Sequence, residues 1–158
     1  MCSSDLAALN LGLSGLRQTY DGSPKRVTVT GAVTPVSTTY NGGTAAPVNA
    51  GSYAVRVVPL DANYSGSAEG TLVIDKAGQT LTVTAASNVA TVTSTPVSAS
   101  SSSGLPVTLT VASGRASLAN GQLTVSENGT VVLRATQAGN ENYLPATADY
   151  AVTSALIN

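Results

Sequence analysis

The chain has 158 residues, of which 42% are hydrophobic and 9% are charged, and its formal net charge is −1. A chain this close to neutral creates no long-range field that would draw nucleic acid or an anionic membrane surface, so we expect neither as a partner. Histidine is absent and Cys2 is the single cysteine, which excludes Ser-His and Cys-His nucleophiles, zinc sites made of cysteine and histidine, and a disulfide within the chain.

The N-terminal residues divide into two parts. Cys2-Ser-Ser-Asp-Leu6 resembles the translation of a common sequencing-adaptor tail, so we interpret residues 1–6 as an artefact at the start of a fragment and assign Cys2 no function. The missing signal sequence then carries no information about location. In residues 7–16, leucine occupies positions 9, 11 and 13, and this alternation favours a strand. We expect the segment to be the end of a preceding module or a linker.

Alternating runs and turn signals predict a first all-β module over residues 17–76. Asp21-Gly-Ser-Pro24 is a turn signal, because glycine allows positive φ and the aspartate side chain can bond nearby backbone. Val27-Thr-Val-Thr30 and Val36-Ser-Thr-Thr-Tyr40 alternate apolar with polar residues, as strands do. Asn41-Gly-Gly43 then predicts the turn that leads into a longer strand.

Alternating runs and hairpin signals predict a second module over residues 77–158. The run from Val107 to Val111 alternates valine and leucine with threonine, which is typical of a strand. Asn120-Gly121 and Asn128-Gly129 are hairpin signals. About seven short strands at this turn spacing indicate a β-sandwich.

One pattern occurs in both modules: a strand that begins at glycine, a corner with an Asn-Tyr pair, and a second strand. The first copy comprises Gly51-Ser-Tyr-Ala-Val-Arg-Val-Val58, Asn63-Tyr64 and Gly70-Thr-Leu-Val-Ile74, and the second comprises Gly129-Thr-Val-Val-Leu-Arg-Ala135, Asn142-Tyr143 and Tyr150-Ala-Val152. An internal repeat of this kind predicts two related modules in tandem. Strand alternation places Arg56 and Arg134 on the outward face, where we interpret them as ordinary solvated side chains.

The first module resembles MBG-type repeats of large bacterial surface and secreted proteins. The resemblance covers residues 17–76 and rests on motifs in order: Gln18-Thr-Tyr-Asp-Gly-Ser-Pro-Lys25, Val27-Thr-Val-Thr30, Thr39-Tyr-Asn-Gly-Gly43, Asn49-Ala-Gly-Ser-Tyr53, Asp61-Ala-Asn-Tyr-Ser-Gly66 and Gly70-Thr-Leu-Val-Ile-Asp-Lys76. The stretch from Gly31 to Val36 is shorter than the connection typical of the family, which predicts that one hairpin is trimmed.

Residues 79–153 resemble the bacterial Ig-like repeats found beside such modules. Ser103-Gly-Leu-Pro-Val107 and Gln137-Ala-Gly-Asn-Glu-Asn-Tyr143 carry this second resemblance. Together the two resemblances imply tandem Ig-like β-sandwich-type modules, with an abbreviated sheet as the alternative for the first. They also imply an extracellular or cell-surface array that spaces, displays or adheres. Its partners would be neighbouring repeats, with host or matrix glycans as a second candidate, and no catalytic residue or cofactor is implied.

Glycoside hydrolysis, calcium binding and carbohydrate binding are the three chemistries that compete with this interpretation. The eight acidic residues are scattered, so no pair is placed for two-carboxylate glycoside hydrolysis, and we expect no enzyme activity. Asp61 with Asn63, or Asn140 with Glu141 and Asn142, could offer oxygen ligands to calcium. Calcium takes about six to eight such ligands, and turn chemistry explains the same residues, so we predict no metal site.

Carbohydrate binding is the alternative function, as an accessory module of a secreted enzyme. Sugars stack on exposed aromatic rings, and Tyr20 and Tyr40 are the candidates, since Tyr53 falls on the predicted core side. Two coplanar exposed tyrosines on one face would favour this alternative.

Tyr64 and Tyr143 each follow an asparagine at the repeated corner. We predict that they act like the tyrosine corner of Ig-like sandwiches, with the ring in the core and the hydroxyl bonded to upstream backbone. The competing interpretation makes them exposed platforms for sugars. No apolar run approaches the ~20 residues that a membrane-spanning helix needs, so we expect no membrane insertion of this fragment.

Overall fold

The computed structural model describes residues 5–155, so the predictions for Cys2 and for the first part of the adaptor-like tail lie outside the described residues. Within that range every regular element is a β-strand. The chain divides into two compact units with the boundary between Ala77 and Gly78. The prediction of an all-β fold made of sandwich-type modules is confirmed.

The first unit contains eight strands: β1 Ala7–Ala8, β2 Gly12–Ser14, β3 Arg17–Thr19, β4 Thr28–Thr30, β5 Val36–Tyr40, β6 Gly51–Pro59, β7 Tyr64–Ser65 and β8 Ala68–Asp75. Its main sheet has the order β3-β8-β6-β5, and β2 pairs with β4 in a second, two-stranded sheet. The alternation predicted for β6 holds, because Val55 and Val57 are buried while Arg56 is exposed. These valines form the core together with Tyr40, Leu72 and Ile74.

Residues 7–16 are part of the first unit, so their assignment to a preceding module or a linker is wrong. Gly12–Ser14 pairs antiparallel with Thr28–Thr30, and Leu11 and Leu13 pack against the core of this unit. The physical reason lies in the main sheet, where Gly70 has no side chain to cover its neighbours. A Cβ at Gly70 would lie 3.2 Å from Leu13 Cδ1 and 3.3 Å from Leu16 Cδ1, so leucines from this segment fill the space.

The second unit contains nine strands: β9 Leu81–Thr84, β10 Asn88–Ala90, β11 Ser94–Pro96, β12 Ser98–Ser101, β13 Thr108–Ser113, β14 Ala116–Ala119, β15 Gln122–Val125, β16 Gly129–Gln137 and β17 Ala146–Ala155. Its main sheet has the order β10-β17-β16-β13, and the opposite layer comprises β11-β15-β14 and β12-β9. The core joins the two layers, because Leu123 and Val125 of β15 pack with Leu133 of β16 and Val152 of β17.

The two main sheets have the same topology and the same register. In each unit a short strand pairs parallel with the last strand, β3 with β8 and β10 with β17. The long repeated strand pairs antiparallel with the last strand, so that Val55 is opposite Gly70 and Leu133 is opposite Tyr150. The internal repeat of the sequence therefore corresponds to a repeated four-stranded sheet.

The units differ in the connection that follows β5 and β13. In the second unit this connection contains the β14–β15 hairpin, whose residues Leu123 and Val125 are each 1% exposed. In the first unit residues 41–50 make the connection without a strand, and the ring of Tyr40 is buried instead. The first unit is thus abbreviated relative to the second, and the missing hairpin falls at residues 41–50 rather than at the predicted 31–36.

Candidate functional site

The two polar corners are built by their own side chains. Asp61 Oδ1 accepts hydrogen bonds from the backbone N–H of Asn63 at 2.9 Å and from its side-chain amide at 3.0 Å. Asn140 Oδ1 accepts from the backbone N–H groups of Asn142 and Tyr143 at 2.8 and 2.9 Å. Two of the oxygens considered as calcium ligands, Asp61 Oδ1 and Asn140 Oδ1, therefore hold the turns, as the turn interpretation predicts. No group of three or more His, Cys, Asp or Glu side chains suited to a metal ion occurs in residues 5–155.

The outward arginines occupy equivalent places in the two sheets. Arg56 lies directly opposite Glu69, with Nε 3.3 Å from Oε1. Arg134 lies directly opposite Asp149 and donates two hydrogen bonds to its carboxylate, at 2.7 and 2.8 Å. This hydrogen-bonded pair lowers the pKa of Asp149. The outward orientation predicted for both arginines is confirmed. Strand alternation in the sequence did not indicate that each arginine has an acidic partner on the neighbouring strand.

A buried lysine stabilises the first turn of the first unit. Lys25 is 8% exposed, and its Nζ lies 2.5 Å from Oδ2 of Asp21. The backbone N–H of Ser23 also donates to Asp21 Oδ1, at 2.9 Å. The lysine hydrogen bond is the main cause that lowers the pKa of Asp21 well below its ordinary value. The turn predicted from Asp21 and Gly22 is thus reinforced by a charge pair.

All six tyrosines are buried or half-buried. Tyr20, Tyr40 and Tyr53 belong to the core of the first unit, so Tyr20 and Tyr40 do not form an exposed platform. The hydroxyl of Tyr40 accepts a hydrogen bond from the backbone N–H of Val27 at 3.2 Å, and that of Tyr53 donates to the carbonyl of Asn49 at 2.8 Å. The predicted core side of Tyr53 is confirmed.

The tyrosine-corner prediction for Tyr64 and Tyr143 is wrong as to which ring packs in the core. Both rings are half-buried, yet neither is among the described side chains that pack against the two cores. In the second unit Tyr150 has that role, since its ring packs on the core and its hydroxyl donates to the carbonyl of Ala85 at 3.0 Å.

An open groove of about 590 Å³ runs along one side of the second unit. Leu109 and Val111 of β13 line one wall, and Ala116 and Leu118 of β14 line the other. The lining contains neither a charged side chain nor an aromatic ring, so it offers a ligand apolar contact without ionic or stacking contact.

Each unit has a terminal pair, by which we mean the parallel pairing of β3 with β8 and of β10 with β17. In the first unit Arg17 donates two hydrogen bonds to the carboxylate of Asp75, at 2.7 and 2.9 Å. In the second, the hydroxyls of Thr91 and Ser154 lie 2.9 Å apart and are buried. Sequence reasoning missed both contacts, because the partners are 58 and 63 positions apart.

Two sheets of the same topology, each with its own core, define a tandem all-β repeat segment. Residues 9–78 match the family model of the MBG domain. The resemblance predicted for residues 17–76 is confirmed, and the match starts before Arg17, in agreement with the packing of Leu11 and Leu13 in this unit. The match does not extend beyond Gly78, so it describes the first unit and not the second.

No curated protein matches the chain. In the part of the chain that the structure describes, no helix is both long enough and apolar enough to cross a membrane.

Proposed function

We propose that the chain is a non-catalytic structural segment of a large extracellular bacterial protein, acting as a spacer or adhesion repeat. The observation that supports this proposal is the repetition of one sheet with one register, in which the equivalent arginines even retain acidic partners. Repetition of a scaffold is what an array needs in order to set distance, since each added copy extends it. Neighbouring repeats of the same protein would be its partners.

The proposal assigns no catalysis, cofactor or nucleic-acid binding to this segment. Acidic side chains of both units are engaged in ion pairs or turns, as with Asp149 and Asp61. Two exposed coplanar tyrosines would favour the alternative role as a carbohydrate-binding accessory module, whereas the rings of Tyr20 and Tyr40 belong to a core. The geometry therefore favours the spacer.

Grafting the chain between a cell-surface anchor and a reporter domain tests this proposal. One, two and three tandem copies are displayed on the same cell, and the height of the reporter above the surface is measured by fluorescence interference or resonance energy transfer. A spacer predicts a stepwise rise in height with copy number. No rise, because the copies collapse on one another, would contradict the proposal.

A glycan array probed with the same chain separates the alternative. We expect no saturable binding above that of a matched bovine serum albumin control. Saturable binding to one glycan class, abolished by Tyr64→Ala or Tyr143→Ala with an unchanged thermal melt, would establish the accessory role instead. Host or matrix glycans would then be the partner class.

A further inference from the structure

We propose that the terminal pairs are tension-resisting elements, so that each unit withstands a pull along the chain. This inference rests on the proposed function for its biological meaning, because a spacer in a surface array transmits force between its ends. Its physical basis is independent of that function and lies in the direction of two strands.

In each terminal pair the two strands are parallel. Arg17 is opposite Val73 and Thr19 is opposite Asp75, and Asn88 is opposite Thr153 in the second unit. The chain enters each unit ahead of the short strand, through β1 and β2 in the first unit and through β9 in the second, and it leaves each unit after the last strand. Tension on the chain pulls the two strands in opposite directions along their common axis. The hydrogen bonds between them are then loaded together, whereas a pull across the strands would break them one after another.

The same backbone bonds flank both terminal pairs. The carbonyl of the residue before the short strand accepts from the last strand: Leu16 from Val73 at 2.8 Å and Ser87 from Thr153 at 2.8 Å. The N–H of the residue after the short strand donates to the last strand, from Tyr20 to Asp75 at 2.9 Å and from Thr91 to Ala155 at 3.4 Å. The arrangement is therefore a repeated feature of the module.

Side chains add a different reinforcement to each pair. In the first unit the two-bond contact of Arg17 with Asp75 crosses from β3 to β8 at the surface. In the second unit Thr91 bonds Ser154 at 2.9 Å and Asn128 at 2.8 Å, in a part-buried polar group. An exposed ion pair contributes little to equilibrium stability. It nevertheless raises the force for separation if it must break before the strands part, because forced unfolding follows the unfolding barrier.

The direction of pull gives the first test, made on the whole chain with Cys2→Ser. One handle is attached at Gly78→Cys, where an added Cβ has open space. The other handle is attached at the C-terminus in the first arrangement and at Leu144→Cys in the second. The side chain of Gln79 donates to the carbonyl of Leu144 at 2.8 Å, so the second arrangement pulls from one end of the unit and peels the strands. Optical-tweezers or atomic-force measurements at one loading rate should give a higher unfolding force for the C-terminal handle. Equal forces in the two arrangements would overturn the proposal.

The ion pair gives the second test, with the whole chain pulled from its two ends. Arg17→Gln should lower the force of one of the two unfolding events. The matched control is Arg56→Gln, because Arg56 is a comparably exposed arginine whose partner Glu69 lies on the antiparallel β6–β8 pairing, outside the terminal pair. The control should leave both forces unchanged, and both variants should keep thermal melts near that of the parent.

Identical force distributions for Arg17→Gln and Arg56→Gln would overturn the assignment of Arg17. If Arg17→Gln loses its thermal transition, Arg17→Lys replaces it, since lysine keeps the charge and loses the two-bond fork. These force measurements are independent of reporter height and glycan binding. A unit that unfolds at low force while still raising the reporter would disprove tension resistance and leave the spacer function standing.

Discussion

At the scale of single residues, side chains on equivalent strands solve the same packing problem in two ways. Position 70 of the first unit corresponds to position 150 of the second, since Val55 faces Gly70 and Leu133 faces Tyr150. Tyr150 covers the core of its own sheet, whereas the space above Gly70 is filled by leucines from the preceding segment. One aromatic ring thus replaces two aliphatic side chains.

Substitution of Tyr150 tests this assignment. Tyr150→Phe removes the hydrogen bond to Ala85 and should lower the free energy of unfolding of the second unit by about 1 kcal/mol. Tyr150→Ala also leaves a cavity and should cost about 3 kcal/mol, the low end for an aromatic ring because this one is half-buried. Urea unfolding of the whole chain provides the measurement. Tyr143→Ala is the control, and a larger loss for it than for Tyr150→Ala would restore the original tyrosine-corner prediction.

Asp21 makes the first unit sensitive to acid. Its hydrogen bond with Lys25 lowers the folded pKa, so the carboxylate contributes stability that is complete above the unfolded pKa of about 4 and is lost as the pH falls further. The urea midpoint of the first transition should therefore drop between about pH 4 and pH 2. Asp21→Asn should flatten this drop, and Glu141→Gln, which changes an exposed carboxylate in the other unit, should not. An equally steep drop in Asp21→Asn would contradict the assignment.

At the scale of elements, strand length decided what the sequence could predict. β6 and β16 have nine residues each, and their alternation and shared glycine start identify them and the orientation of Arg56 and Arg134. β3 and β10 have three residues each, which is too few for a periodic pattern. Their parallel partners lie at the far end of each unit, so only the tertiary structure brings them together.

The role of residues 7–16 illustrates the same limit. Alternating leucines indicate a strand, but a local pattern does not say which sheet the strand joins. The answer depends on Gly70, whose missing side chain leaves room for Leu13 and Leu16. The corner residues were easier, because an Asp or Asn two positions before its bonding partner is a local signal.

Removal of the N-terminal segment tests whether β2 is required. A chain that begins at Arg17 loses Leu11, Leu13 and Leu16, and truncation of a buried leucine costs about 2–5 kcal/mol, less where it is half-buried. A small domain has a margin of only about 5–15 kcal/mol. Differential scanning calorimetry should therefore show the transition of the second unit alone, whereas a chain that begins at Asp5 should show both. Two unchanged transitions in the shorter chain would mean that the segment is dispensable.

At the scale of the whole molecule, the described chain consists of two units, each with its own core. The buried side chains fall into two clusters, one formed by residues from Tyr40 to Ile74 and the other by residues from Val97 to Val152. Neither cluster contains a charged side chain, and the ion pairs of Arg56 and Arg134 lie on outward faces. Burial of aliphatic side chains is then the main source of stability in both units.

Small size sets the expected stability of each unit. Domains of this length bury only about 60% of the surface that the unfolded chain exposes, and an intramolecular disulfide is excluded by the single cysteine. Each unit should therefore be marginally stable and sensitive to single substitutions in its core.

Separation of the chain at the unit boundary tests the central claim most directly. Residues 1–77 and 78–158 are expressed apart, and thermal melts are recorded by circular dichroism for each half and for the whole. Because each half contains its own four-stranded sheet and core, we predict a cooperative transition in both halves. If neither half shows a cooperative transition while the whole chain does, the account of two independently folded modules is wrong.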